Sequence, residues 1–249
     1  MNASTKVLGN GRSMDKLFTR FTYLLVFVLL SFSACNKEEK VEIPEDFPVI
    51  LHAERWEQRG ETRLFSDNSE IKDANLIQAY EERAALKELF EIPFVQSEER
   101  SGLHFESESV ARFYPGTVSG QVFDINRKGT RFLFQARDPY WINPLAPPTS
   151  NSLGYFHAMM KFKEPLGTVN SSGDRPAHAV WVAHGNFKVL KLAAFAYALS
   201  SASTAQNDEG PVKNRGVLYN EFDPVAAKYL KATDTLIVKE YSIIYTLAN

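Results

Sequence analysis

Short segments of alternating hydrophobic and polar residues fill most of the chain from residue 48 onward, and such alternation is typical of β-strands with one buried face. Turn-forming residues separate several segments, at 66–69 (Ser-Asp-Asn-Ser), 127–129 (Arg-Lys-Gly) and 184–186 (His-Gly-Asn). The pattern predicts strands over 49–58, 61–71, 102–114, 118–126, 130–137, 155–162, 179–184, 187–199 and 236–247.

Two segments carry helix signals instead. Asp73 suits the cap of a helix whose approximate apolar stripe continues until Pro93 ends it. Asp223 followed by Pro224 predicts the start of a second, short helix that ends near Lys231. Both helices are expected to cover a sheet.

Two stretches in the second half of the chain decide the fold class. Residues 190–203 suit either a helix or a strand, and the alternation of Phe195, Tyr197 and Leu199 favours a strand. Residues 236–247 are apolar on both faces, which predicts a central or barrel-closing strand. We therefore expect a mainly β fold, a single antiparallel β-barrel or sandwich of about eight or nine strands with one or two short covering helices.

The N-terminal residues predict export. Lys16 and Arg20 precede an apolar run over 21–34 that is shorter than the roughly 20 residues of a membrane-spanning helix. A basic flank before such a run is typical of a signal peptide, so residues 1–34 are predicted to be one, with a start at Met14 as an alternative.

A lipid attachment site follows the predicted signal peptide. Residues 30–35 (LSFSAC) resemble the lipobox of bacterial lipoproteins, in which small residues precede a cysteine that is lipidated and becomes the new N terminus. Cys35 matches that cysteine. Lys37, Glu38 and Glu39 are similar to the acidic export signal of Bacteroidetes lipoproteins displayed on the cell surface. The resemblance implies a lipid-anchored outer-membrane protein that faces the cell exterior.

Composition and cysteine content agree with the predicted export and lipid anchoring. The 249 residues are 44% hydrophobic and 23% charged, with a formal net charge of -2, so the chain lacks the basic excess that nucleic-acid binding needs. The single cysteine cannot form an internal disulfide, and lipidation would remove an otherwise unpaired thiol. Residues 35–47 are charged and are expected to form a flexible tether, and residues 48–249 a single β-rich domain.

The meandering strands and a tryptophan in the first of them, Trp56, look like the lipocalin-like barrels of Bacteroidetes lipoproteins. This resemblance implies a carrier that holds a ligand in a β-barrel.

Ionisable residues provide one weak metal candidate. His104, Glu106 and Glu108 alternate and would project from one face of a strand, where they could contribute to a metal site. A plain solvent-facing strand, with Leu103 and Phe105 pointing inward, explains the same pattern and is favoured. The chain has no HExxH, GxSxG, Walker or GxGxxG motif, and we predict no cofactor.

Aromatic residues provide the better contact candidates. Tyr140 and Trp141 adjoin a proline-rich stretch, where rigid rings could stack on a sugar or anchor a partner. Alternatively, they fold back over the end of a barrel. Trp181 is a further contact candidate, and the polar stretches 167–176 and 200–216 are expected to be loops.

The sequence favours a binding or accessory lipoprotein that captures a glycan, a small apolar molecule or an outer-membrane protein partner. The alternative is an exported hydrolase-type enzyme with an unrecognised active site. Aromatic residues that line a pocket without converging ionisable groups would favour binding, whereas an inward-facing His104, Glu106 and Glu108 would favour the enzyme.

Overall fold

Ten β-strands account for most of the residues that the structure describes. The computed structural model describes residues 41–83, 101–114, 120–142, 153–163, 167–168, 170, 174–201 and 212–247. The strands are β1 (Val49–Ser66), β2 (Ser69–Ile71), β3 (Gly102–Phe105), β4 (Val110–Tyr114), β5 (Gln121–Lys128), β6 (Arg131–Ile142), β7 (Arg175–Gly185), β8 (Val189–Ser201), β9 (Val212–Leu218) and β10 (Asp234–Leu247). The helices are α1 (Ala74–Glu81), α2 (Leu153–Met159) and a 3-10 helix (Pro224–Tyr229). Within these ranges, neither α-helix has the length and hydrophobicity for a membrane crossing.

Eight of the strands close an antiparallel barrel. The ring order is β1-β3-β4-β5-β6-β7-β8-β10, and it closes because β10 pairs with both β8 and β1. Two strands lie outside the ring, where β2 pairs with β1 and β9 pairs with β8. The predicted mainly β fold is therefore confirmed, and of the two predicted architectures the barrel is the correct one.

The base of the barrel is the end that carries the β3–β4, β5–β6 and β7–β8 turns, and the mouth is the opposite end. Aromatic side chains fill the interior towards the base. Phe105, Phe132, Phe134 and Phe187 are at most 2% exposed, and the Phe105 ring lies 4.9 Å from the ring of Phe187. Close packing of these rings gives the domain its main hydrophobic core.

Strands β1, β8 and β10 extend together beyond the mouth, and helices cover both faces of this extension. The face that continues the barrel interior holds Leu64, Ala196 and Ile237, which pack against Ile77 and Tyr80 at α1. The opposite face is covered by α2 and the 3-10 helix. The residues buried between this face and the two helices include Phe65, Tyr155, Met159, Phe195, Ala226, Leu236 and Val238. Burial of both faces explains why residues 236–247 are apolar throughout.

A β-bulge changes which side chains of β1 face inward. Ala53 pairs with Tyr245 and Arg55 with Ile244, so Glu54 is an extra residue in β1. The extra residue shifts the alternation by one position. Regular alternation would place Ala53 and Trp56, three residues apart, on opposite faces of the strand. With the extra residue, both pack against the barrel core.

The shortest strand pairing in the ring, which we call the short joint, is between β7 and β8. These strands share three residue pairs next to their turn: Ala183–Leu192, His184–Lys191 and Gly185–Leu190. Beyond them, β8 pairs with β9, and the fully buried side chain of Asn220 bonds to the backbone of β7 instead. Its Nδ2 donates to the carbonyls of Val180 (2.6 Å) and Phe162 (2.9 Å), and its Oδ1 accepts from the Phe162 N–H (3.0 Å).

Two predicted elements are wrong in type. The predicted strand 155–162 is largely helix α2, because Tyr155 and Met159, one helical turn apart, are both fully buried on one face. The predicted loop 200–216 contains most of β9, whose residues Lys213, Asn214 and Arg215 hide its strand pattern. Because β9 lies outside the barrel ring, it can carry polar side chains that face solvent.

Other predicted bounds need smaller corrections. The predicted strand 102–114 is two strands joined by a turn at 106–109, and 49–66 is one continuous strand. The helix after Asp223 is a 3-10 helix. The cap at Asp73 is confirmed, since its Oδ1 accepts from the N–H groups of Asn75 (2.9 Å) and Leu76 (3.2 Å). The helix ends at Glu81 and not at Pro93 as predicted, and the residues from 84 onward lie outside the described residues. The strand interpretation of 190–203 is confirmed by β8.

Candidate functional site

The predicted aromatic candidates lie in different parts of the barrel wall. Tyr140 and Trp141 belong to the last part of β6, where their backbones pair with Ala177 and Pro176 of β7, at the mouth. Their side chains and the proline-rich stretch after them lie outside the described residues. Trp181, by contrast, points into the barrel and is 9% exposed.

The metal candidates face away from the barrel interior. Leu103 and Phe105 are buried in the core, so His104 lies on the outer face of β3, with its ring 4.5 Å from the Tyr114 ring. Burial lowers the pKa of His104, and nearby His52 lowers it further. Glu106 pairs with Arg112 (2.9 Å), and Glu108 lies in the turn that follows. Among the described side chains, no three histidines, cysteines or carboxylates are close enough to share a metal ion.

The predicted lipidation and export residues, Cys35, Lys37, Glu38 and Glu39, lie outside the described residues. The predicted tether is described only from residue 41 onward. Val41 and Phe47 pack against the barrel core, so this part of the tether belongs to the folded domain.

Five aromatic side chains share the interior surface near the mouth, and we call them the aromatic arc: Trp56, Phe113, Trp181, Tyr219 and Tyr241. The Trp181 ring lies 4.5 Å from the Tyr219 ring and 4.9 Å from the Phe113 ring. The Trp56 ring lies 5.7 Å from the Tyr241 ring at an interplanar angle of 77°. Trp56, Tyr219 and Tyr241 are half-buried, so each presents part of a ring to solvent.

A small residue separates the two halves of the arc. Ala194 of β8 pairs with Tyr241, and Tyr219 lies one residue beyond Leu218, which pairs with Phe195. Tyr219 is therefore level with Ala194, on the same face of the sheet. Ala194 contributes only a methyl group between the two tyrosines and is 1% exposed. The arc thus consists of two aromatic groups on either side of Ala194.

Polar groups adjoin the end of the arc at Tyr241. The Glu81 carboxylate of α1 accepts a hydrogen bond from the Thr62 hydroxyl and lies 3.5 Å from the Lys239 ammonium. Burial raises the pKa of Tyr241, and the negative charge of Glu81 raises it further. The Tyr241 phenol therefore keeps its proton at neutral pH. A ligand on the arc would meet aromatic faces and, at one end, hydrogen-bonding groups.

Sequence reasoning found only part of the arc. Trp56 and Trp181 were noted individually, and Tyr241 was expected in the last strand. Phe113 and Tyr219 were missed, because Phe113 was assigned to a single long strand and Tyr219 follows a stretch interpreted as a loop. Alternation across 217–219, with Val217 and Tyr219 packing on the barrel core, is the signal that could have identified Tyr219.

Comparison with known proteins adds no relative from which a function could be transferred. No family model, curated protein or solved structure matches the chain. The geometry of the barrel mouth is therefore the basis for a functional interpretation.

Proposed function

We propose that the protein is a lipid-anchored binding protein displayed on the outer membrane of a Gram-negative bacterium, and that it captures a glycan or a small apolar molecule on the aromatic arc. The observation that carries this proposal is the set of half-buried rings at the mouth of a closed barrel. Aromatic faces stack on sugar rings and on other flat apolar groups, and barrel mouths are common ligand sites.

The filled base limits where the ligand can bind. Phenylalanine rings occupy the interior towards the base and are almost fully buried, so a ligand there would have to displace core side chains. At the mouth, the partly exposed residues Tyr219 and Tyr241 require no such displacement. A ligand is therefore expected to bind shallowly, with part of its surface in solvent.

The enzyme alternative has less support. The residues that form the core inside the barrel are apolar or aromatic, with the Ser101 hydroxyl 3.4 Å from the Tyr245 hydroxyl, and Glu81, Thr62 and Lys239 add polar groups beside Tyr241. The His104 group, which would have favoured an enzyme by facing inward, faces outward. We therefore propose binding without catalysis.

The proposal is tested by a glycan and metabolite binding screen on the chain from residue 35 carrying Cys35→Ala. We expect Tyr219→Ala to weaken binding of any ligand found by about tenfold, which corresponds to about 1.4 kcal/mol, because one stacking face is lost. Tyr219→Phe should retain most of the affinity if stacking dominates. Tyr229→Ala is the control, because Tyr229 is 44% exposed on the 3-10 helix, away from the arc. Equal affinities for Tyr219→Ala and Tyr229→Ala would contradict a site on the arc.

Anchoring is tested separately by cell fractionation. Cys35→Ala should move the protein from the membrane fraction to the soluble fraction, because two or three acyl chains otherwise hold it there. A Cys35→Ala variant that stays in the membrane pellet at the level of the unmodified chain would contradict the lipoprotein assignment.

A further inference from the structure

The chain enters the domain at the base of the barrel. The Phe47 ring packs edge-on against Phe187, with centroids 5.9 Å apart, and the Arg127 guanidinium donates to the Val41 carbonyl (3.5 Å). The Lys188 ammonium lies 3.9 Å from the Glu42 carboxylate. Arg127 belongs to the end of β5 and Lys188 to the β7–β8 turn, and both positions are at the base.

Only a short stretch separates this attachment from the predicted lipid. Cys35 and Val41 are six residues apart, and a fully extended chain spans at most about 3.3–3.6 Å per residue. The base is therefore held within roughly 20 Å of the lipidated residue, whatever conformation the stretch adopts. By contrast, β10 alone runs for 14 residues, or about 45 Å at 3.3 Å per residue, away from the base.

Exposed apolar side chains also occur at the base. Ile43 is 49% exposed, Val189 43% and Leu247 42%. They lie in one region, since Lys188 pairs with Glu42, next to Ile43, and its carbonyl accepts from the Leu247 N–H (3.2 Å). Such side chains tolerate contact with the boundary between lipid headgroups and acyl chains better than charged residues do. Both signs of charge are present nearby, so net charge at the base does not favour one orientation.

We propose that the base of the barrel rests on the lipid headgroups of the membrane that holds the anchor, and that the mouth with the aromatic arc points away from it. This orientation rests on the proposed lipid anchor. It places the backbone of Tyr140 and Trp141 at the end remote from the membrane. The bound ligand is then taken from the medium and not from the bilayer beneath the protein.

The experiment uses the full chain, lipidated in cells and reconstituted in vesicles whose lipids carry an energy acceptor on the headgroup. Since Cys35 is the only cysteine and is blocked by the lipid, one introduced cysteine gives a single labelled position. Lys128→Cys places a fluorophore in the β5–β6 turn at the base, and Ser69→Cys places it in β2, at the far end of β1. Both positions are exposed.

We expect energy transfer to the lipids to be at least twofold stronger from position 128 than from position 69. Inserting a long Gly-Ser linker after residue 40 should reduce this difference, because the base is then no longer held at the surface. Equal transfer from the two positions, or stronger transfer from position 69, would overturn the orientation.

A failed anchor gives a different result from a failed orientation. If Cys35 carries no lipid, the chain without added cysteines reacts with the thiol-specific fluorophore and does not sediment with the vesicles. That result would overturn the lipoprotein proposal. A chain that resists labelling and sediments with the vesicles, yet shows equal transfer from positions 69 and 128, overturns the orientation alone.

Discussion

At the scale of single residues, the ion pair between Arg63 and Glu70 joins β1 to β2. The Arg63 Nε lies 2.8 Å from Glu70 Oε1, and its Nη2 lies 3.2 Å from Oε2, so the contact is bidentate. The guanidinium also lies over the rings of Phe65 (5.0 Å) and Phe222 (5.6 Å). Arg63 and, to a smaller extent, Lys72 lower the pKa of Glu70 to about 2, with the hydrogen bond from Arg63 as the largest influence and burial as an opposing effect. This pair therefore fixes one end of the sheet extension.

The lowered pKa predicts how stability depends on pH. A carboxyl group whose pKa is lower in the folded state stabilises the protein above its unfolded pKa, and that stabilisation is lost as pH falls through the folded pKa. We expect Glu70→Gln to lower the free energy of unfolding by about 1–2 kcal/mol at pH 7, after allowance for partial exposure. Below about pH 2, the variant and the unmodified protein should have similar stability.

Urea denaturation at several pH values between 7 and 2 measures this effect. Glu61→Gln is the matched control, because Glu61 is an exposed residue of β1. A Glu70→Gln variant whose unfolding free energy differs from that of the unmodified protein by the same amount at pH 7 and pH 2 would refute the assigned linkage.

At the scale of elements, Gly185 makes the β7–β8 turn possible. Its φ is +138°, in a region that residues with a side chain rarely adopt. A Cβ at this position would lie 2.2 Å from the Val189 carbonyl oxygen, which is backbone and cannot rotate away. Gly185 therefore permits the close approach that starts the short joint of the barrel.

We expect Gly185→Ala to destabilise the domain by about 3 kcal/mol or more, because both the backbone angle and the contact must change. Gly129→Ala is the matched control in the β5–β6 turn. Gly129 also has a positive φ (+57°), but a Cβ there meets nothing within 4 Å, so only about 1–2 kcal/mol should be lost. Thermal unfolding of the two variants checks the difference. Equal losses of stability would show that the contact with Val189 is unimportant.

Predictability from sequence also differed between elements, for physical reasons. Strand β10 was identifiable because burial on both sides makes it apolar throughout, and β8 because Phe195, Tyr197 and Leu199 share one face. Helix α2 was misassigned because its two fully buried residues, Tyr155 and Met159, are consistent with both a helical and an alternating pattern over so short a segment.

The site was harder to predict than the fold. The arc combines residues from β1, β4, β7 and β10 with the residue that follows β9, and no local pattern shows that they meet. The bulge at Glu54 also changes the face on which Trp56 lies, and bulges leave no reliable trace in a single sequence. Tyr219 and Trp181 come together only because β9 replaces β7 beside β8.

At the scale of the whole molecule, the proposed display on the cell surface is open to direct test. Replacing Lys37, Glu38 and Glu39 with alanine should leave the proposed lipidation intact, because the predicted lipobox precedes these residues. We expect the variant to stay in the membrane fraction and to resist protease added to intact cells. Replacing Glu45 and Asp46 with alanine is a matched change outside the predicted signal. Digestion of both variants at the rate of the unmodified protein would refute the export signal.

The short joint between β7 and β8 also has a dynamic consequence. Separating β10 from β8 would break hydrogen bonds from Asp234 to Thr246, whereas separating β7 from β8 breaks those of three residue pairs and the contacts of Asn220. Partial opening occurs where the fewest interactions are lost. The Gly185 N–H donates to the Thr130 carbonyl (2.8 Å), so the ladder directs the amides of His184 and Lys191 across this pairing, and they should exchange with deuterium faster than those of Leu236 to Val238. If the proposed binding function is correct, opening on the side that carries Trp181 and Tyr219 would let the barrel circumference adjust to the size of the ligand.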